Sequence, residues 1–285
     1  MSSPYDLTSL ASVKAWLNIT NSNDDAVLGP LITAVSRQIQ SYLSRNVIVP
    51  RAIVERFDGL GNDRIYLRNW PVLSVSQLLI DNRAILASQA PGAGVAQNAG
   101  YLLSPWDGMP PGAPQELDLI GYWNSFSRYD FARGRQNIQV SYLAGYAVQN
   151  EAQSVPSTPG PYTIVADQPW GPWASDEGVS YANGAALISV NGTPLVGQYS
   201  VSGGTYTFSA SDAGNAVLIS YGFIPQDIAQ SCMELVSKRF RYKDRIGQTS
   251  KSIGGQETVS YGLVTKSLPP AIALMLQPYR SVLVI

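Results

Sequence analysis

The sequence contains no histidine and one cysteine, and only 14 % of its 285 residues are charged. Without histidine there can be no Ser-His-Asp triad, no Cys-His pair and no His-ligated zinc site. Cys232 cannot form an internal disulfide, and its position in an apolar helical stripe favours a small core residue over a nucleophile. A GxxxxGK[ST] loop and a GxGxxG after a strand are also missing. We therefore expect neither a metal nor a cofactor.

Long apolar runs and a strong net charge are missing as well. The 19 basic and 20 acidic residues give a net charge of −1, so no global field favours nucleic acid or a membrane surface. The apolar runs are too short for a transmembrane helix, and the opening MSSPYDLTSL lacks the regions of a signal peptide. The sequence predicts a protein that is made in a reducing cytoplasm and does not enter a membrane.

Two acidic pairs are the remaining candidates for acid–base chemistry. Asp24-Asp25 and Asp176-Glu177 could in principle serve a carboxylate-based hydrolase. The members of each pair are adjacent in sequence and lie beside Asn or Ser, which is more typical of helix capping and loop solvation. We do not expect an enzyme.

Helical periodicity is confined to the two ends of the chain. Apolar residues at helical spacing predict a helix over Asp6–Leu17 and a longer one over Asp24–Arg45, in which Pro30 marks a kink or the true start. A third helix is predicted from Pro225 to Arg245, and a short one over Ala271–Leu276. The first two helices should pack against each other as a hairpin.

Short alternating runs separated by turn signals predict strands between these ends. Gln89–Pro114, rich in Gly, Ala and Pro, predicts a long loop or arm. Residues 148–222 contain no Lys or Arg and five acidic residues, and their Asn-Gly and Gly-Gly turns predict a small antiparallel β-sandwich or partial barrel. The fold class expected is α+β: a helical core, formed by the N-terminal helix pair and the C-terminal helices, with a β-region and this inserted β-domain.

Two stretches of the sequence have similar patterns, each typical of the end of a strand. They are IQVSYLAGYA at 138–147 and VLISYGFIPQ at 217–226. A helix follows only the second copy. Charge also shifts at these points, from balanced over 1–147 to net −5 over 148–222 and net +4 over 223–285. We predict a core formed by 1–147 and 223–285, with 148–222 inserted between adjacent strand ends.

Five stretches in a fixed order carry a family resemblance. They are DLTSLASVKAWLNI, DDAVLGPLITAVSRQIQSYLSR, FARGRQNIQVSYLAGY, IPQDIAQSCMELVSKRF and LPPAIALMLQPYR. Together they resemble the gp6-like head-to-tail adaptor (connector) proteins of tailed bacteriophages, over roughly 5–147 and 223–285. The intervening segment, with GQYSVSGGTYTFSASDAGNAVLISY, looks like the small Ig-like modules of virion proteins.

The resemblance implies a structural virion protein of the neck. Such adaptors form a ring, commonly dodecameric, that docks under the portal protein, extends the channel for passing double-stranded DNA and offers a platform to a tail-completion or neck protein. The implied location is the head–tail junction, after assembly in the cytoplasm of the bacterial host. DNA would be contacted without sequence specificity.

Two groups of residues are candidates for the contacts of such a ring. Basic residues of the third helix and the loop after it could line the channel or pair with a neighbouring subunit's acids: Lys238, Arg239, Arg241, Lys243, Arg245 and Lys251. The apolar tail could dock into the portal or another partner, or pack back on its own core: Tyr279, Arg280, Val282, Leu283, Val284 and Ile285.

A function of another class stays open at this point. Trp170, Trp173 and Tyr181 could form a stacking platform in a surface- or carbohydrate-binding module of a tail or baseplate protein. Saccharide binding by residues 148–222 would favour that alternative over the adaptor.

Overall fold

The computed structural model describes residues 5–45, 47–89, 98–105, 115–121, 130–243, 250–253, 257–260 and 268–281. The chain divides into two compact units. We call Met1–Asn46 with Ile224–Val282 the helical unit, and Val47–Phe223 with Leu283–Ile285 the β unit.

The helical unit contains α1 (Leu10–Leu17), α2 (Asp25–Leu43), α3 (Gln226–Tyr242) and α4 (Pro270–Leu276). The β unit contains fourteen strands, and a two-stranded ribbon of the helical unit follows α3. In chain order the strands are β1 (Arg51–Gly59), β2 (Arg64–Tyr66), β3 (Val72–Ile80), β4 (Arg83–Ile85), β5 (Gly100–Ser104), β6 (Glu116–Ile120), β7 (Gly134–Ala144), β8 (Ala147–Ser154), β9 (Thr163–Val165), β10 (Trp173–Tyr181), β11 (Ile188–Ser189), β12 (Gln198–Ser202), β13 (Thr205–Phe208), β14 (Ala216–Phe223), β15 (Ser250–Ile253) and β16 (Glu257–Ser260).

The helices form because each has one apolar stripe at the 3.6-residue period. The Ser9 side chain caps α1 by accepting from the Ser12 amide at 3.0 Å, and α2 continues through Pro30. The stripe of α2 and that of α3 are buried, the latter including Ile228 and Cys232. Burial of these stripes, not intrinsic propensity, holds the helices in place.

The first part of the β unit holds one hydrophobic core. One sheet has the order β1-β7-β3-β4 and a second has the order β2-β6-β5. Alternate residues of β7 are buried, among them Ile138, Val140 and Tyr142, and they share a core with Leu117 and Phe131. The period of two along β7 thus faces one side of its sheet into this core.

Residues 147–223 enclose a second core between two further sheets. One has the order β10-β14-β8 and the other the order β11-β12-β13-β9. All pairs in these sheets are antiparallel except β11 with β12, which is parallel. Tyr199, Tyr206 and Tyr221 are almost fully buried at the centre of this core.

The two strand endings noticed in the sequence meet in space. Ala147 at the start of β8 is the register partner of Gly222 near the end of β14. The Phe223 amide donates to the Tyr146 carbonyl at 3.0 Å, and the two rings lie 6.0 Å apart. The first and last residues of the segment 147–223 are therefore neighbours in space. The division at 147/148 and 222/223 stays a prediction.

The predicted fold class is wrong. The described chain is mostly β-sheet, with five sheets against four helices of 8, 19, 17 and 7 residues, so it is α+β at most and is not organised on a helical adaptor core. Long helical stripes dominate a sequence pattern, whereas strands of two to five residues between turns leave little alternation to detect. The prediction of a long loop or arm over Gln89–Pro114 is wrong where β5 lies, for the same reason, and residues 90–97 and 106–114 of that stretch lie outside the described residues.

Candidate assembly surfaces

The basic residues predicted on the third helix divide into two pairs. An Arg239 guanidinium nitrogen of α3 donates to the Gln38 side chain, and Lys243, the C-cap residue of α3, forms an ion pair through Nζ with Asp24 Oδ1 at 2.9 Å. Lys238 and Arg241 are exposed and line an open groove with Trp16. Arg245 and the side chain of Lys251 lie outside the described residues. Arg239 and Lys243 thus contact residues of α2 or its N-cap within their own unit.

The first residues of the predicted docking tail contact their own unit. Tyr279 Oη donates to Asp227 Oδ2 at 3.1 Å, and its carbonyl accepts from Arg45 Nη1 at 3.2 Å. The Arg280 guanidinium carbon lies 5.4 Å from the centre of the Tyr42 ring. Val282, Leu283, Val284 and Ile285 lie outside the described residues. Tyr279 and Arg280 are therefore held on the helical unit.

The acidic pair at the start of α2 serves helix packing. Asp24 pairs with Lys243, and Asp25 Oδ1 accepts from Lys14 Nζ at 2.8 Å. The two carboxylates are thus paired with different lysines from different helices. Asp25 also lies in the first turn of its helix, where a negative charge is favourable.

In the second acidic pair, Asp176 belongs to a network of tyrosines and carboxylates that was not predicted from the sequence, whereas Glu177 accepts from the Ser175 hydroxyl at 2.7 Å. Asp176 accepts from Tyr199 Oη at 2.6 Å and from Tyr206 Oη at 3.3 Å. Two similar hydrogen bonds lie in the same sandwich. Tyr181 Oη of β10 donates to Asp212 Oδ1 at 2.5 Å, and Tyr221 Oη of β14 donates to Glu151 Oε2 of β8 at 2.6 Å. Because residues 148–222 contain no Lys or Arg, phenol hydroxyls take the place of cations beside these acids.

Burial and the acids together raise the pKa values of the phenols. For Tyr199 burial contributes most and the hydrogen bond to Asp176 adds to it, and Tyr221 beside Glu151 behaves in the same way. For Tyr206 burial again contributes most, opposed by the Trp173 indole that donates to its hydroxyl. Burial also raises the pKa of the Glu177 carboxyl, with the Ser175 hydroxyl opposing it. The phenols are therefore neutral hydrogen-bond donors throughout the physiological range.

The three aromatic residues of the predicted stacking platform have different surroundings. Trp170 is 67 % exposed, but Trp173 packs against the sandwich core and donates its indole N–H to Tyr206 at 3.2 Å. Tyr181 also packs on that core and donates to Asp212. A sugar ring therefore finds one exposed aromatic face here and not three.

Among the described ranges there is no group of three or more Cys, Asp or Glu side chains arranged to hold a metal ion. No described helix is both long and apolar enough to cross a membrane.

Two models of phage protein families match different parts of the chain. Residues 7–79 match "Phage gp6-like head-tail connector protein", and residues 188–282 match "Head completion protein". A solved structure, described as the neck of an empty GTA particle computed with C6 symmetry, is 13 % identical and aligns over 100 % of this chain and 95 % of that chain, with a TM-score of 0.35. At that TM-score the likeness carries no argument. No curated protein matches the chain.

By their descriptions, both matched families are structural proteins of the phage head or head–tail junction, and each match covers less than half of this chain. More narrowly, the predicted resemblance to the gp6-like head-tail connectors is confirmed over 7–79, which includes α1, α2 and the first strands. The head completion match begins at β11 and runs through α3 and α4, so it crosses the predicted boundary at 222/223.

Proposed function

We propose that the chain is the subunit of an adaptor ring that docks on the portal, extends the DNA channel and joins the head to a neck or tail protein. The observation that carries this proposal is the order of the two family matches on one chain, a connector match followed by a head completion match. A protein with both would bind the head on one side and close or prolong its exit on the other.

The helical unit supplies surfaces suited to these contacts. Its α3 helix exposes Lys238 and Arg241, and its last described residues lead into the apolar tail. The hydrogen bonds of Tyr279 to Asp227 and Arg45 hold the first residues of the predicted docking tail on the helical unit. We assign the docking on the portal to residues 279–285.

Co-sedimentation with rings of the portal protein of the same phage tests the proposal. The full chain should sediment with portal in a fixed stoichiometry and appear by electron microscopy as a ring coaxial with it. A variant lacking 282–285 keeps the Tyr279 contacts and the hydrogen bond from the Ser281 amide to the Leu43 carbonyl, so it should fold. It should nevertheless lose portal binding. A full chain that remains monomeric and never binds portal would overturn the proposal.

The carbohydrate-binding alternative has less support, because only Trp170 of its three aromatic residues is exposed. A glycan array probed with the full chain separates the two functions. If the chain binds a saccharide, Trp170→Ala abolishes that binding and the chain does not bind portal, the surface-binding function would be favoured over the adaptor function.

A further inference from the structure

A groove on the helical unit combines an exposed aromatic ring with two exposed cations. It is lined by Trp16 of α1, which is 49 % exposed, and by residues of α3. Lys238 and Arg241 are three residues apart on α3, so they lie on the same face of the helix one turn apart. The other α3 residues in the lining are Glu234 and Ser237. The carboxylate of Glu234 accepts from Gln230 Nε2 at 2.9 Å.

The β unit presents a surface of complementary character. We call the exposed side chains Val165, Asp167 and Trp170, at and just after β9, the acidic rim. Val165 is 60 % exposed and Trp170 is 67 % exposed, and Asp167 lies between them in sequence. β9 is an edge strand of its sheet. The rim therefore offers one carboxylate between two apolar side chains.

The acidic rim is held rigidly by the tyrosine–carboxylate network. The Asp167 amide donates to Glu151 Oε1 at 3.2 Å, and the next amide, that of Gln168, donates to Tyr221 Oη at 3.0 Å. Gln168 Oε1 in turn accepts from the Trp173 amide at 3.0 Å. A large aromatic side chain on a segment fixed in this way loses little entropy when a partner covers it, which is the property of interface anchors.

Charge favours contact between these two surfaces in different copies of the chain. Residues 148–222 carry five acids and no base, whereas 223–285 carry eight bases and four acids. Within the acidic segment Asp212 is fully buried, and Glu151 and Asp176 accept from tyrosines. Asp167 is exposed, so its charge is available to a cation of another molecule.

We infer that the acidic rim of one copy docks in the Trp16–Lys238–Arg241 groove of the next copy. Asp167 pairs with Lys238 and Arg241, and Trp170 and Val165 cover the exposed ring of Trp16. The contact joins two different surfaces, so it is heterologous and repeats from copy to copy until a ring closes. The inference rests on the proposed ring and deepens it by naming the subunit contact.

Cross-linking between copies tests this contact. Chains carrying Asp167→Cys are mixed with chains carrying Lys238→Cys, alone and on portal rings, and a mild oxidant is added. Native Cys232 does not interfere, because burial raises its pKa to about 12. The mixture should give a disulfide-linked dimer on a non-reducing gel. The matched control replaces Asp167→Cys by Asn183→Cys, at an exposed turn of the same sandwich, and should give none. Absence of the mixed dimer, both alone and on portal, overturns the inference.

Charge reversal separates this contact from DNA binding and from the proposed function. Asp167→Lys should lower the ring fraction about tenfold, and adding Lys238→Glu should restore it, because like charges across an interface are costly. If Lys238→Glu lowers retention on duplex DNA but Asp167→Lys leaves the ring unchanged, the groove binds phosphate and the inference is wrong. Asp167→Lys chains that still bind portal while failing to close a ring would support the contact and leave the adaptor function intact.

Discussion

The hydrogen bond between Tyr199 and Asp176 should contribute measurably to the stability of the second core. Tyr199 is 2 % exposed and its hydroxyl donates to Asp176 Oδ2 at 2.6 Å. Tyr199→Phe leaves the ring in place but removes this donor from a carboxylate that is itself half-buried. A hydrogen bond to a charged group contributes roughly 1.5–3 kcal/mol. Asp176 keeps Tyr206 and the Gly178 amide, so we expect about 2 kcal/mol.

Hydrogen exchange along a urea series, read by peptide mass spectrometry, measures this loss locally. With a urea dependence of about 2 kcal/mol per molar, the midpoint for peptides covering β12 and β13 should fall by about 1 M. Tyr162→Phe is the matched control, because Tyr162 packs on the same core and its hydroxyl makes no hydrogen bond within the described residues. This control should change the free energy of unfolding by no more than about 0.5 kcal/mol. A Tyr199→Phe loss no larger than the control's would refute the assigned role of the network.

Four further perturbations test other parts of the structure. Since the phenols of Tyr199, Tyr206 and Tyr221 hold their protons more tightly when folded, their stabilisation is complete below their ordinary pKa of 10.0 and is lost as the pH rises above it, so urea midpoints of the second core should fall above pH 10. Cys232, buried and with a pKa of about 12, should resist thiol reagents at pH 8 until the helical unit unfolds, and rapid labelling of the native chain would contradict its burial. Gly222→Ala should cost roughly 1–3 kcal/mol in thermal unfolding, because the added Cβ would lie 2.3 Å from Ser175 Oγ, whereas Gly192→Ala meets nothing within 4 Å and should be neutral. Joining 147 to 224 should leave a cooperatively folded protein by circular dichroism, and a molten product would show that 148–222 is not a separable insertion.

The helices and the doubled strand ending were predictable because their signals are local. The apolar stripe of α2 repeats over five turns, so it can be recognised from the sequence alone. The two similar strand endings led to the prediction of adjacent strand ends, and Ala147 pairs with Gly222 in the structure. The extent of β structure was not predictable in this way. β4 has three residues and β11 has two, which is too short for an alternating apolar–polar pattern to be recognised.

The candidate surfaces were predictable in composition but not in partners. The cations of α3 are visible in the sequence, yet only the fold shows that Arg239 and Lys243 contact α2 or its cap while Lys238 and Arg241 face a groove. The tyrosine–carboxylate pairs were missed because their members lie 23 to 70 residues apart. One signal could have indicated them, namely five acids beside several tyrosines in a segment without Lys or Arg, since buried acids need hydrogen-bond donors.

Electron microscopy of the purified chain mixed with its portal is the most direct test of the central claim. The account predicts a ring of this chain coaxial with the portal ring, with the β unit of each subunit touching the helical unit of the next. A chain that stays monomeric and unbound beside intact portal rings would contradict it.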